Sequence, residues 1–319
     1  MVAQELVPSI PEADSDRDGI MDRVEQSLLI QFAPTFMLSG QECSALPAEF
    51  IPNRADPMVR TEDGTVYGQV FPVKTSSSPR TAEIHFYHLW KRDCGGHSHP
   101  LDAEHVSVLV QASSDDLTSA TWKAVYWYAA AHEETVCDVS QIGRASTLGA
   151  EHHGATVWIS AGKHASFFNE TLCTRGCGAD VCRDMKPLPI AQLINLGEPD
   201  QPMNHALWAA SSRWSLSAKM TASNFSAAAI ARLSAVPPTE IALVNGGRHP
   251  MQGTIAISNS TADALAKSGD NTAGAISIGE ASTGNALRRS YDHTLHALGI
   301  SFRRAGKALR LNTDPKSAQ

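Results

Sequence analysis

Ala82-Glu-Ile-His-Phe-Tyr-His-Leu-Trp90 and, beyond a turn at Cys94-Gly95-Gly96, His105-Val-Ser-Val-Leu-Val-Gln111 are the two runs on which the fold turns. Both are dense in β-branched and aromatic residues, and in the second Val106, Val108 and Val110 recur at every other position, the period of a strand. Similar runs occupy 66–73, 121–129 and 155–161. Turn formers such as Ser76-Ser77-Ser78-Pro79 separate them, and no regular helical pattern intervenes. Strands without alternating helices predict a mainly β fold, an antiparallel β-sandwich core over residues 36–205.

Working outward, residues 1–35 carry an extended arm with Pro8 and Pro11, then a short acidic loop. A helix follows from about 23 to 32, with Val24, Leu28 and Phe32 on one face. Residues 206–319 read as helical and irregular additions packed on the core. An Ala-rich helix over 220–233 stops before Pro237-Pro238, and 258–284, rich in Ala, Ser, Gly and Thr, is expected to be loosely ordered. Leu287, Tyr291, Leu295, Leu298, Phe302 and Leu309 mark one face of a last helix flanked by Arg288, Arg289, Arg303, Arg304, Lys307 and Arg310. That pattern fits a terminal helix docked on the core with its charges solvated, the alternative being a membrane-surface helix.

The chain of 319 residues is 42% hydrophobic and 18% charged, ordinary values for a folded domain. Its net charge of −7, from 33 acidic and 26 basic residues, argues against general nucleic-acid binding, which needs a basic surface. No apolar run reaches the length of about 20 residues that spans a bilayer. Met1-Val2-Ala3-Gln4-Glu5 has neither a basic nor an apolar signal region. The expectation is therefore a cytosolic protein, or a secreted or periplasmic one whose signal peptide has been removed. Cys43, Cys94, Cys137, Cys173, Cys177 and Cys182 form an even set, compatible with three disulfides in any of fifteen pairings. Cys173, Cys177 and Cys182 can alternatively be read as zinc ligands, without the usual two-pair spacing. The even cysteine set and the acidic loop favour export.

That loop, Asp14-Ser-Asp16-Arg-Asp18-Gly19-Ile20-Met-Asp22-Arg-Val-Glu25, matches the twelve-position calcium loop at each ligand place. Asp14, Asp16 and Asp18 stand at positions one, three and five, the Ile20 carbonyl at seven, Asp22 at nine and Glu25 at twelve. Gly19 sits where the chain must turn sharply. Calcium takes six to eight hard oxygens, and a terminal bidentate carboxylate completes the shell. The plainer alternative is acidic capping of the helix that follows. The expected role is structural, tying the arm to the domain.

Cys94-Gly-Gly-His97-Ser-His99-Pro-Leu-Asp102-Ala-Glu104-His105 holds the densest set of ligand-type side chains. Strand parity from Val106 puts Asp102 and Glu104 on the core-facing side at the strand's mouth. Two carboxylates with a neighbouring imidazole can take a second divalent cation: Mg2+, Ca2+, Mn2+ or Zn2+. Mutual hydrogen bonding at a turn is the competing account.

Asp102-Ala-Glu104-His105-Val106-Ser-Val108 resembles the Asp-Trp-Glu-His-Val-x-Val strand of the vacuolar protein sorting-associated family. Gly95-Gly96-His97-Ser98-His99 followed by Asp102 and Glu104 resembles the Gly-His-Arg-His-Asp-Trp-Glu signature of necrosis- and ethylene-inducing proteins. Gly162-Lys163-His164-Ala165-Ser166-Phe167 is similar to the Gly-Ser-His-Ala-x-Tyr element of the former. The resemblance covers about residues 80–170. It implies a β-sandwich with a divalent cation at its rim held by His99, Asp102 and Glu104, and in the necrosis-inducing proteins binding of sphingolipid head groups. Ala103 replaces the family tryptophan, and Pro100-Leu101 is inserted between histidine and aspartate.

Strands ending in histidine can gather imidazoles at one rim. His164 and His132 are the expected proton carriers, with His97 assisting at the metal; His152 and His153 read equally well as structural. His85 and His88 have opposite parity, so at most one faces the site. There is no Gly-x-Ser-x-Gly elbow, and Gly246-Gly247 lacks phosphate-loop spacing. Three functions fit. The histidines favour a metal-dependent hydrolase or lyase. The alternatives are a non-catalytic glycan- or lipid-head-group-binding protein or cytolysin, in peripheral contact with a membrane, and a structural exported protein.

Overall fold

The alternation at 82–90 and 105–111 yields the two longest strands among the described residues. A computed structural model describes residues 13–51, 57–73, 80–94, 98–133, 135, 137–175, 180–198, 201–202 and 223–245. The expected arm before 13, His97, the segment 258–284 and the basic helix over 287–309 lie outside them. In chain order the elements are helix α1 (Asp22–Phe32) and strands β1 (Thr35–Leu38), β2 (Glu49–Phe50), β3 (Val59–Thr61), β4 (Val66–Val73), β5 (Thr81–Asp93) and β6 (His99–Ala112). Next come β7 (Trp122–Ala129), β8 (Gln141–Arg144), β9 (Thr156–Ile159), β10 (Ser166–Phe167) and helix α2 (Glu170–Arg175). Strands β11 (Lys186–Pro187), β12 (Leu193–Asn195), β13 (Gly197–Glu198) and β14 (Gln201–Pro202), helix α3 (Ala227–Ser234) and β15 (Ala242–Leu243) complete them. All belong to the unit Met1–Ile255; the second unit, Ala256–Gln319, lies outside the described residues.

A seven-stranded sheet runs in the order β12-β4-β5-β6-β7-β8-β15, and a four-stranded sheet in the order β10-β9-β1-β11. Pairing is mostly antiparallel. The parallel exceptions are β12 on β4 and β1 on β9, where short strands arrive from distant segments. Strand β15, from the region read as helical additions, extends the large sheet beside β8.

One apolar cluster joins both sheets to α1. Leu28, Leu29 and Phe32 of α1, Phe36 of β1, Val157 and Ile159 of β9, and Ile84, Phe86, Val106, Val108 and Val110 of the large sheet are all buried there. Each such side chain contributes about 1.5–3 kcal/mol by leaving water. The spacing of Val24, Leu28 and Phe32 thus buries the face it predicted.

The other face of the large sheet is also buried, which alternation alone would have left in water. Glu83, His85, Tyr87, His105 and Ser107 lie there, at 2% exposure or less. Such groups need partners, and several are on hand: His85 Nε2 meets Glu83 Oε1 at 2.8 Å, Tyr87 donates to Gln69 at 2.8 Å and Ser107 to Asn224 at 2.7 Å. Further along, Phe225, Ala229 and Leu233 around α3 cover Tyr128, Ile142 and Ala242.

Disulfides join Cys43 to Cys94 and Cys173 to Cys182, and Cys137 is bonded as well. The Cys173–Cys182 bridge replaces the zinc alternative for that cluster. Disulfides persist in oxidising compartments, which fits an extracellular protein. No helix among the described residues is long and apolar enough to cross a membrane. At Gly154 the chain passes so close to the end of α1 that a Cβ would run into the Ala33 carbonyl. Gly154→Ala should therefore destabilise the protein by about 2 kcal/mol in urea unfolding; an unchanged midpoint would show that this approach is loose.

Candidate functional site

At the mouth of β6 the pattern that buries Val106 also turns Glu104 and Asp102 inward, each 7% exposed. Their cross-strand partners on β5 are His88 and Trp90. Trp90 Nε1 donates to His88 Nδ1 at 2.8 Å, and His88 Nε2 meets Ser166 Oγ at 2.9 Å, which fixes the indole plane. On that plane His164 stacks, its ring centroid 4.0 Å away and the rings 7° apart.

His164 is fully buried. Its backbone is left-handed, with φ at 54°, because the chain reverses sharply after β9 and the His164 N–H returns to the Ser160 carbonyl at 2.9 Å. Such a conformation costs about 1–2 kcal/mol in a non-glycine residue and persists only where surroundings enforce it. Nδ1 lies 2.8 Å from Asp102 Oδ2 and Nε2 lies 3.1 Å from Glu42 Oε1. Burial alone would pull its pKa down, but the hydrogen bonds and charges of Asp102 and Glu42 outweigh it and push the pKa up to about 9. Burial likewise opposes the Glu42 carboxylate, yet His164 holds its pKa below the usual value. The imidazole is therefore a cation at neutral pH, and the adjacent indole face favours that charge.

Next in the chain, Lys163 Nζ reaches Asp93 Oδ2 at 2.7 Å. Asp93 also faces His99 Nε2 at 3.3 Å. The Cys43–Cys94 bridge is adjacent in sequence to both Glu42 and Asp93. A backbone bond from Cys94 N–H to the Gly162 carbonyl (2.8 Å) and one from Gly162 N–H to the Glu42 carboxylate oxygen Oε2 (3.0 Å) tie the same three loops together.

His132 has a left-handed backbone too, φ 54°, and its Nε2 meets the Asp180 carboxylate at 2.8 and 3.0 Å. Burial lowers its pKa, but Asp180, and after it the charge of Glu104, reverse the effect and raise it overall. Both histidines expected to carry protons are thus clamped on carboxylates.

Of the remaining expected residues, His97 lies outside the described ones. His99 is half exposed and turned to Asp93, whereas Asp102 is engaged with His164. Among the described residues, the ligand atoms of His99, Asp102 and Glu104 do not gather within reach of one ion; those of Asp14, Asp16 and Asp18 do, all within 4.8 Å. Asp22 does not join them, since its two oxygens accept from the Ser15 N–H (2.7 Å) and hydroxyl (2.6 Å). Glu25 is fully buried and accepts from Asn195 Nδ2 at 2.8 Å, and the Ile20 N–H donates to Asp18 at 2.6 Å. His152 and His153 are exposed elsewhere, and His85 points to the opposite face of the large sheet. Glu42, Trp90, Asp93, Lys163 and Asp180 were not anticipated; the cysteines bordering Glu42 and Asp93 were the one hint.

Beside His99 opens a cleft of about 810 Å³, lined by Ser44, Glu62, Lys91, Arg92, Ser98 and Leu101 among others. Lys91 is largely exposed and 3.5 Å from Glu62. The arrangement offers exposed donors at a rim whose deeper charges are already paired.

No family model matches the chain, and no curated protein matches it. Among solved structures it is similar to one described as a toxin fold for microbial attack and plant defense. That match has 17% identity and a TM-score of 0.35, covering 64% of this chain and 85% of that one. It is also similar to NLPPya in complex with glucosamine (18% identity, TM-score 0.34, 64% and 85% covered). The non-toxic HaNLP3 protein matches at 10% identity and TM-score 0.33, with 64% and 92% covered. The resemblance to necrosis- and ethylene-inducing proteins is thus remote and extends over part of the chain.

Proposed function

We propose that this chain is an exported binding protein, its two sheets the layers of a sandwich, that holds the polar head group of a glycan or glycolipid at the rim of the large sheet without turning it over. The carrying observation is the contrast between the cleft and the groups behind it. Lys91 and Arg92 present donors to an open space large enough for a sugar, with His99, turned to Asp93, in its wall. Behind them His164 is sealed from solvent, with both ring nitrogens engaged and a pKa of about 9. A general acid–base group needs access to its substrate and a pKa near the working pH, and His164 has neither. That favours recognition over the hydrolase or lyase expected from the number of histidines. Among the described residues the ligand atoms of His99, Asp102 and Glu104 are not gathered around one point, and the reading asks for no second cation.

The test is binding of the intact chain to a panel of sugars and to vesicles bearing glycosylated lipids, with the bound ligand recovered and analysed. Saturable binding with unaltered ligand is expected. His99→Ala and Lys91→Ala should each weaken it about tenfold, the worth of one charge-assisted hydrogen bond, and leave the melting temperature unchanged because both side chains are exposed. Cleaved ligand, or binding indifferent to both substitutions, would sink the reading.

A further inference from the structure

The N-terminal acidic loop is separate from the rim and plays no part in the function proposed there. Asp14, Asp16 and Asp18 bring one carboxylate oxygen each within 4.8 Å of one another. Three like charges at that range repel, and an ordinary surface cluster would relieve the strain by turning outward into water. Asp16 does the opposite: it is fully buried, and neither of its oxygens has a hydrogen-bond partner. Asp14 Oδ1 is buried without a partner as well, while Asp14 Oδ2 accepts from the Gly19 N–H at 3.2 Å. A buried carboxylate with no donor costs several kcal/mol unless a positive charge compensates it.

Among the described residues, no side chain is paired with either Asp16 oxygen. Arg17 and Gly19, at φ 62° and 97°, fold the loop around the carboxylates. Asp22 is held by Ser15, and its N–H donates to the Ala13 carbonyl at 2.9 Å, closing the loop on itself. We infer that Asp14, Asp16 and Asp18 form a calcium site that fastens the start of α1 to the large sheet. Calcium rather than magnesium is favoured because the ligands are protein carboxylates in an irregular loop, whereas magnesium demands octahedral geometry and retains its waters. The fastening follows from Glu25, one turn into α1, whose carboxylate is bound by Asn195 of the edge strand β12. An ion that orders the loop therefore orders the helix start and, through it, the sheet edge.

The experiment uses the full chain stripped with chelator, with calcium or magnesium then added during calorimetric titration and thermal unfolding. Calcium at a hundredfold excess over its Kd is expected to raise the melting temperature by about 5–10 °C, and magnesium by much less. Asp16→Asn keeps the volume and removes the charge. It should weaken calcium binding by about a hundredfold while the metal-free protein becomes as stable as the wild type or more so. A merely structural aspartate would not give that pair of opposite changes. The absence of any calcium response at millimolar concentration would overturn the site. So would a full response in Asp16→Asn, which would place the ion elsewhere, such as the rim.

Discussion

Replacing Asp102 with alanine is expected to cost about 3–5 kcal/mol of stability and lower the melting temperature by about 10 °C, the largest loss from any single polar side chain at the rim. Asp102 Oδ2 lies 2.8 Å from the Nδ1 of a fully buried imidazole. Without it His164 must either stay charged with half its compensation gone or release its proton into a setting built for a cation. Trp90 gives no relief, because His88 and Ser166 lock its ring in place. The double variant Asp102→Ala with His164→Gln should recover part of the loss, since it removes the stranded charge together with its partner. Urea unfolding of the four proteins of this cycle measures the coupling. A single-variant cost below about 1 kcal/mol, or strict additivity, would mean that the pair is not the keystone of the rim.

The second large effect is in pH. In the metal-free protein, the imidazole is protonated in both the folded and the unfolded chain below about pH 6.5, and its ion pairs contribute in full. Between there and the folded pKa of about 9 only the folded state holds the proton, so stability declines as pH rises. The difference of about 2.5 pH units corresponds to about 3 kcal/mol lost by pH 9.5. Glu42 acts in the opposite sense. Its folded pKa is lowered, so its contribution is present above the ordinary carboxylate range and disappears as pH falls through the folded value. Stability from this cluster is therefore greatest between about pH 4.5 and 6.5. Unfolding midpoints taken across that range and up to pH 9.5 test it. His164→Gln should flatten the alkaline limb, and equal slopes in variant and wild type would refute the assignment.

Much of the architecture was legible because it obeys local rules. Strand β4 lies at the expected 66–73, and β5 and β6 contain the runs 82–90 and 105–111, since β-branched and aromatic residues in alternation have few other stable arrangements. The helix expected from about residue 23 begins at Asp22, and Val24, Leu28 and Phe32 supply its buried side. Parity likewise placed Asp102 and Glu104 inward. The buried polar layer of Glu83, His85 and His105 was not legible, because alternation reports which side a residue takes and not what covers it. The same limit applies at the rim. Glu42 and His164 meet across 122 positions of sequence and Asp102 and His164 across 62, distances at which no local pattern exists. Histidines at strand ends suggested proton traffic; carboxylates from distant segments meet both His132 and His164 and raise their pKa.

The Cys43–Cys94 bridge gives the rim a dependence on where the protein matures. Glu42 and Asp93, the anchors of His164 and Lys163, each neighbour one of its sulfurs. Chain made in a thiol-rich cytosol would lack the clasp that brings those two acids to their bases, however well the large sheet assembled. Recombinant material intended for ligand work should accordingly pass through the periplasm or the secretory route, where the clasp closes before the cleft is asked to bind.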